Sequence, residues 1–348
     1  MDLTDEHWEY FIDLVIHGTY QPYASRPSRH PKRPFTSNRF EDALVNSFIG
    51  FVSEAAFECH AEEALEEAIA IDGGWFISRE TRDNPIEEDT GIYVTTTSRP
   101  LARLENLYRK LAWEFRGHLF ALERKPSFRL KGLSRTQLKS LRIEDVFDFY
   151  IFQDEEFHKT TSQAFSQLFE KIDGNEREWR NVNQQAPVSE ETRNCIRELV
   201  DQMRSYPADH ESRFLDRLFV DRWFSPHFKK GNISDVDAVL DFEHQIEILD
   251  VKCKLPFGRP LKYGLNQYKL DFFSKIDSWK GFHSCYVVNR NELKDLNKSA
   301  WIAASMKQFA QSTCNIEGGS GRTNNDSETT IALEVSEFET FFVFPDNQ

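Results

Sequence analysis

No run of about 18 apolar residues, the length a membrane-crossing helix needs, occurs anywhere in the 348 residues. Cysteine is sparse, with five residues at 59, 195, 253, 285 and 314 and no paired spacing. An odd, scattered set fits buried thiols in a reducing cytoplasm better than a disulfide or zinc framework. The ten histidines are dispersed, no pair has metal-ligand spacing, and no His-Glu-x-x-His, P-loop or Gly-x-Ser-x-Gly occurs. These gaps argue against zinc proteases, serine hydrolases and an ATP-driven motor acting alone. Methionine appears three times against 30 phenylalanines, which predicts an aromatic-rich core. Asp2, Asp5, Glu6 and Glu9 give the N-terminus the wrong sign for a secretory or transit peptide.

What is present is a soluble-type composition, 39% hydrophobic and 29% charged, with a formal charge of −14. That sum disfavours a polyanion as partner, yet its distribution is uneven. Between Arg99 and Arg142 stand twelve Lys and Arg against three Glu, a local +9, leaving −23 elsewhere. Such a stripe can grip a phosphate backbone while the protein stays soluble, and Arg109, Lys110 and Arg116 are its candidate contacts. A solvated helix face is the plainer reading of the same charges. A smaller basic cluster lies at Arg26, Arg29, His30, Lys32, Arg33 and Arg39.

Helical spacing recurs at Trp8, Phe11, Ile12 and Val15 and at Leu44, Phe48, Phe51 and Val52. The prolines from Pro22 to Pro34 predict a loop, and Ala55 to Ala70 an acidic helix stopped by Gly73-Gly74. Further helices are expected over Leu101–Leu122, Ser134–Arg142 and Val146–Ile172, and a short strand over Gly91–Thr97. The polar stretch Asp173–Pro187 reads as a linker between a mainly helical domain, 1–185, and a second domain, 186–348. Ser189 caps a helix carrying Ile196, Leu199, Val200 and Met203, and the chain closes on two strands, Thr330–Val335 and Thr340–Phe344. Gly318–Ser327 reads as a small-residue loop.

Residues 234–254 carry the chemistry. Two strand-like runs, Val236–Phe242 and Ile246–Cys253, flank a polar turn of Glu243, His244 and Gln245. Side chains two apart on a strand share a face, so Asp250 and Lys252 project together, and a hairpin brings Asp237 beside them. Two hard carboxylates and an ammonium make a divalent-cation site suited to phosphodiester hydrolysis. Asp235 competes with Asp237 for the first ligand position, since both lie on one face. On the expected helix from Glu211 to Trp223, Glu211 shares the apolar stripe with Leu215 and Leu218, so it faces either a metal or a solvated first turn. An exposed Asp–Lys salt bridge on a plain hairpin remains the structural alternative.

Glu211, Asp237 and Asp250-Val251-Lys252 resemble the PD-(D/E)XK nuclease superfamily, and most closely its RecB-type and resolvase-type versions. The resemblance covers roughly residues 205–300 and implies a restriction-endonuclease-like α/β fold, a mixed β-sheet flanked by helices. It implies Mg²⁺ or Mn²⁺ held by Asp237, Asp250, Glu211 and the Val251 carbonyl. Lys252 would position or help deprotonate the attacking water and stabilise charge at the phosphate. On an expected helix Leu261–Ile276 the resemblance assigns Gln267, while the adjacent Tyr268 departs from its spacing. Arg259 and Lys262 are candidate phosphate contacts. The implied function is metal-dependent cleavage of DNA in restriction, phage defence or repair, in the cytoplasm, as a homo-oligomer or with a partner protein. The rivals are a sequence-specific Type II-like restriction enzyme and an inactive nucleic-acid-binding or assembly subunit.

Overall fold

Trp8, Phe11, Ile12 and Val15 line one face of a helix and are all buried, which is the outcome their spacing demands. That helix, α1 (Asp5–Ser25), runs past Pro22, where a loop was expected. The structure is a computed structural model. It describes residues 4–25, 37–79, 91–173, 188–204, 216, 231–289, 300–317 and 329–343. The rest of the proline-rich loop, the proposed linker after Asp173 and the Gly318–Ser327 loop lie outside the described residues.

Leu44, Phe48 and Val52 are buried along a single long helix, α2 (Ser37–Ala64). The expected helix from Ala55 to Ala70 is therefore the second half of α2, which ends earlier. Gly73 and Gly74 stop no helix; they lie inside strand β1 (Ile69–Arg79). An added Cβ at Gly73 would lie 1.9 Å from the Val236 carbonyl oxygen and 2.6 Å from backbone atoms of Asp237, so glycine is what lets the two strands approach.

After β1 come β2 (Ile92–Thr97), α3 (Glu105–Glu114), β3 (His118–Arg124), α4 (Arg135–Ser140) and α5 (Ile143–Val146). Next are β4 (Phe147–Gln153), β5 (Glu156–Thr160), α6 (Ser162–Asp173) and α7 (Glu190–Arg204). The expected helix Leu101–Leu122 is shorter than its periodicity suggested. Phe115 turns extended, and at Gly117 a Cβ would meet the Gly91 carbonyl at 2.2 Å as β3 draws alongside β2. The first half of the expected helix Val146–Ile172 is the hairpin β4–β5, and its second half is helical as α6. The hairpin's Phe-rich alternation favours strand, and Asp154 and Glu155 take positive φ at the turn. Ser189 does cap α7, its hydroxyl accepting the Thr192 amide at 3.3 Å.

The remaining elements are β6 (Gly231–Asp241), β7 (Ile246–Cys253), β8 (Lys262–Asn266), α8 (Gln267–Ile276) and β9 (Phe282–Asn289). They are followed by β10 (Ala300–Ser305), α9 (Met306–Gln311), β11 (Asn315–Glu317), β12 (Thr329–Glu334) and β13 (Glu339–Val343). The expected helix from Leu261 splits into β8 and α8, so Tyr263 and Gln267 share no helical face.

Among the described residues, one ten-stranded mixed sheet runs β13-β10-β9-β7-β6-β1-β2-β3-β4-β5. The pairs β2–β3 and β7–β9 are parallel, and the others antiparallel. One face buries an aromatic core under α1, α2, α6 and α7. The other buries a second core under α3, α8, α9 and the small sheet β11-β12-β8. The sheet runs across the expected boundary between 1–185 and 186–348: β1 pairs with β6 from Ile69–Asp241 to Arg79–Gly231, and the first half adds five strands to its helices α1 to α6.

Candidate active site

The hairpin β6–β7 is registered from Asp241–Ile246 to Ala238–Leu249, and its ladder ends one step before Asp237 and Asp250 would face each other. There the strands part, and side chains take over the pairing. The Val251 amide donates to Asp237 Oδ2 at 2.8 Å, and Lys252 Nζ donates to the same oxygen at 2.7 Å. Lys252 Nζ also stands 2.9 Å from Asp250 Oδ1. Both carboxylates are 1% exposed, so these contacts are what make their burial tolerable. Leu249 and Val251 belong to the core on the opposite face, as the alternation predicts.

The sequence reading missed Lys269. From the first turn of α8 its Nζ donates to Asp250 Oδ1 at 2.6 Å and lies 3.5 Å from Asp235 Oδ1. Its position beside Leu270, Phe273 and Ile276, all buried, was the available signal: an ammonium at the edge of an apolar stripe needs a carboxylate. Asp235, weighed against Asp237 as first ligand, is thus the half-exposed partner of Lys269, while Asp237 holds the buried position. Burial alone would raise the Asp250 pKa, but Lys252 and Lys269 outweigh it and hold the carboxyl well below the usual range. For Lys252, burial works downward, and Asp237 and Asp250 outweigh it and lift the ammonium well above its ordinary value. Those carboxylates hold Lys252 as an ammonium, a hydrogen-bond donor and a positive charge within the cluster.

Lys254 continues the same strand face and behaves oppositely. Its Nζ donates to the Gly264 carbonyl at 2.8 Å and lies 5.1 Å from the Tyr286 ring centre. Burial pulls its pKa down to about 8; Asp250 opposes that shift, and Lys252 and Lys269 add to it. The unfolded value is near 10.4, so between about pH 8 and 10.4 the unfolded chain binds more protons and stability rises with pH. Below that window the buried charge is a standing penalty. Lys254→Met is expected to stabilise the protein by about 2 kcal/mol at pH 7 and to flatten the alkaline rise. Denaturant unfolding at pH 7 and pH 10 checks this, and an unchanged stability at both would contradict it.

The other expected residues are placed as follows. Gln267 lies at the start of α8, where its Nε2 donates to Asp271 Oδ1 at 2.6 Å along its own helix. The Tyr268 hydroxyl meets Ser234 Oγ at 2.9 Å. Arg259 is exposed at the tip of the loop after β7. Lys262 Nζ lies 3.1 Å from Cys314 Sγ. Glu211 lies outside the described residues, as does its expected helix apart from Asp216, which is helical, buried and paired with Arg124 at 3.4 Å.

Part of the basic stretch is partnered within the fold. Arg99 and Arg103 both pair with Glu62 of α2, Arg124 with Asp216, and Lys125 with the Glu144 carbonyl. Lys110 Nζ donates to the Glu243 carbonyl at 2.6 Å, and Asn106 donates to Asp241 at 2.6 Å, so α3 pins the hairpin turn. About 13 Å of strand separates Asp241 from Asp237, which sets this anchor well away from the carboxylates. Arg109 is exposed and 3.9 Å from Glu155, and Arg116 is exposed.

The donor set suits a hard divalent cation. Asp250 Oδ2 is buried and accepts no hydrogen bond, leaving one carboxylate oxygen without a proton donor. Asp237, Asp250 and the Val251 carbonyl, which now accepts Lys252 Nζ at 3.0 Å, would hold Mg²⁺ or Mn²⁺. Among the described residues no three His, Cys, Asp or Glu side chains gather into a metal-enclosing group. Waters and a substrate phosphate would complete the sphere, as Mg²⁺ favours. Among the described residues no helix is long and apolar enough to cross a membrane. No protein-family model matches the chain, no curated protein matches it in sequence, and no solved structure matches it in fold.

Proposed function

We propose that the chain is a metal-dependent nuclease of the PD-(D/E)XK kind, hydrolysing DNA phosphodiester bonds at Asp237, Asp250 and Lys252. The observation that carries this reading is the meeting of these three side chains, at 2.7 and 2.9 Å, where the two strands of the hairpin part. A mixed sheet flanked by helices supports the restriction-endonuclease-like version of the fold. A bound Mg²⁺ or Mn²⁺ would lower the pKa of a coordinated water and neutralise charge on the scissile phosphate. Asp237 and Asp250 orient that charge, held rigid by the strand backbone. Lys252, kept protonated by its two carboxylates, donates to a phosphate oxygen and stabilises charge in the transition state. Restriction, phage defence and repair are the settings this reading suggests.

Cleavage assays with Mg²⁺ and Mn²⁺ on linear, circular, single-stranded and branched DNA test it. No cleavage of any of these by the full chain would sink the catalytic reading. A second reading, a subunit that binds nucleic acid without cutting, is favoured by one observation: Lys252 and Lys269 both lie against Asp250 Oδ1, so two ammoniums already compensate the carboxylate a metal would need. The two readings separate on metal binding. Lys269→Met is expected to tighten Mn²⁺ binding by about tenfold, because a competing ammonium has gone. Titration calorimetry measures it, and unchanged affinity would show that Lys269 does not compete.

A further inference from the structure

The segment leaving β7 makes an unusual surface. Lys254 to Lys262 doubles back as a tight loop closed by reciprocal bonds of 2.9 Å between the Phe257 and Lys262 backbones. Leu255 is 59% exposed, Leu261 53% and Phe257 41%, and Tyr268 nearby is 39% exposed. Four of the six exposed large apolar side chains among the described residues therefore lie within fourteen residues of sequence, Leu255 to Tyr268. Exposed apolar groups concentrated in one segment are a mark of a binding surface.

The tip is held in place. The Leu261 carbonyl accepts the Val335 amide at 2.9 Å, and the Phe257 ring rests on Gly264, where a Cβ would lie 3.3 Å from it. Arg259 is exposed at the summit, beside Gly258 with φ +79°. Leu255 follows Lys252 by three residues, about 10 Å along an extended chain. An apolar tip carrying an exposed arginine thus continues directly from the strand that bears Asp250 and Lys252.

We propose that this tip engages unpaired bases next to the scissile phosphate, making single-stranded or frayed DNA the preferred substrate. This rests on the nuclease reading of the neighbouring site and deepens it. Cations meet the phosphates, while leucine and aromatic side chains cover the exposed faces of unstacked bases. A blunt duplex keeps its bases stacked and offers the tip nothing apolar.

The test measures binding, apart from chemistry. Full-length protein in EDTA is titrated against a fluorescein-labelled single strand and its blunt duplex, with fluorescence anisotropy as readout. The wild type is expected to favour the single strand. The double variant Leu255→Ser, Leu261→Ser should weaken single-strand binding about tenfold or more and leave duplex binding within about twofold. Fluorescence of 2-aminopurine in the strand should change on wild-type binding and not on binding of the variant. Equal wild-type affinity for both DNAs, an unchanged variant, or a loss shared equally by the duplex would overturn the proposal. So would a wild-type dimer that the double variant dissolves without altering DNA binding, which assigns the tip to a second copy of the chain. Absent cleavage in Mg²⁺ and Mn²⁺ alongside the expected binding pattern would overturn the nuclease reading alone.

Discussion

Asp250→Asn is expected to lower the proposed metal-dependent cleavage on the order of 10³-fold. Asp250 accepts two ammoniums at once, from Lys252 at 2.9 Å and from Lys269 at 2.6 Å, and it is buried. An amide keeps the shape but removes the charge that a cation needs. It also leaves two ammoniums partly uncompensated in a buried cluster, so stability should fall by roughly 3 kcal/mol. Lys252→Ala makes the complementary test, because it removes the donor while keeping both carboxylates. Both proteins are compared with wild type by cleavage rate and by denaturant unfolding. A folded Asp250→Asn protein that cuts at the wild-type rate would remove Asp250 from the catalytic site.

Gly73→Ala is expected to be the most damaging substitution outside the site. The added methyl would overlap the Val236 carbonyl oxygen and the Asp237 backbone, so no side-chain rotation relieves it and a strand must move. A loss of about 3 kcal/mol or more follows, beyond ordinary overpacking because the obstacle is backbone. Cleavage should fall with it, since the strand that moves carries Asp237. Gly50→Ala in α2 is the control: a Cβ there meets nothing within 4 Å, so it should be neutral or slightly stabilising. Thermal unfolding of the three proteins reads the difference. A Gly73→Ala midpoint matching wild type would refute the close approach of β1 and β6.

The hairpin was legible because its signal is local: period-two alternation, a polar turn, and a register that the turn itself fixes. Asp237, Asp250 and Lys252 meet as that reading requires. Lys269 was hidden because its partners, Asp235 and Asp250, lie on the strands β6 and β7, and nothing in the helix sequence names them. The partners of the basic stretch were hidden as well. Charge counts carry no information about partners, and Glu62, which takes Arg99 and Arg103, comes from a helix some forty residues earlier. The strands β3 to β5 were read as helices because Phe, Leu and Tyr suit either element, and only pairing decided between them. The β1–β6 pair leaves no local trace at all.

That pair also orders events during synthesis. β1 leaves the ribosome more than 150 residues before β6, and it can pair with β2 while its other edge stays open. An open edge recruits wrong partners, and closure across so long a loop is slow. The carboxylates of β6 and β7 meet only after Lys252 has been made, so a polypeptide truncated ahead of β6 carries neither Asp237 nor Asp250. A chain stopped ahead of β7 therefore lacks Asp250 and Lys252, a safeguard for a protein proposed to cut DNA.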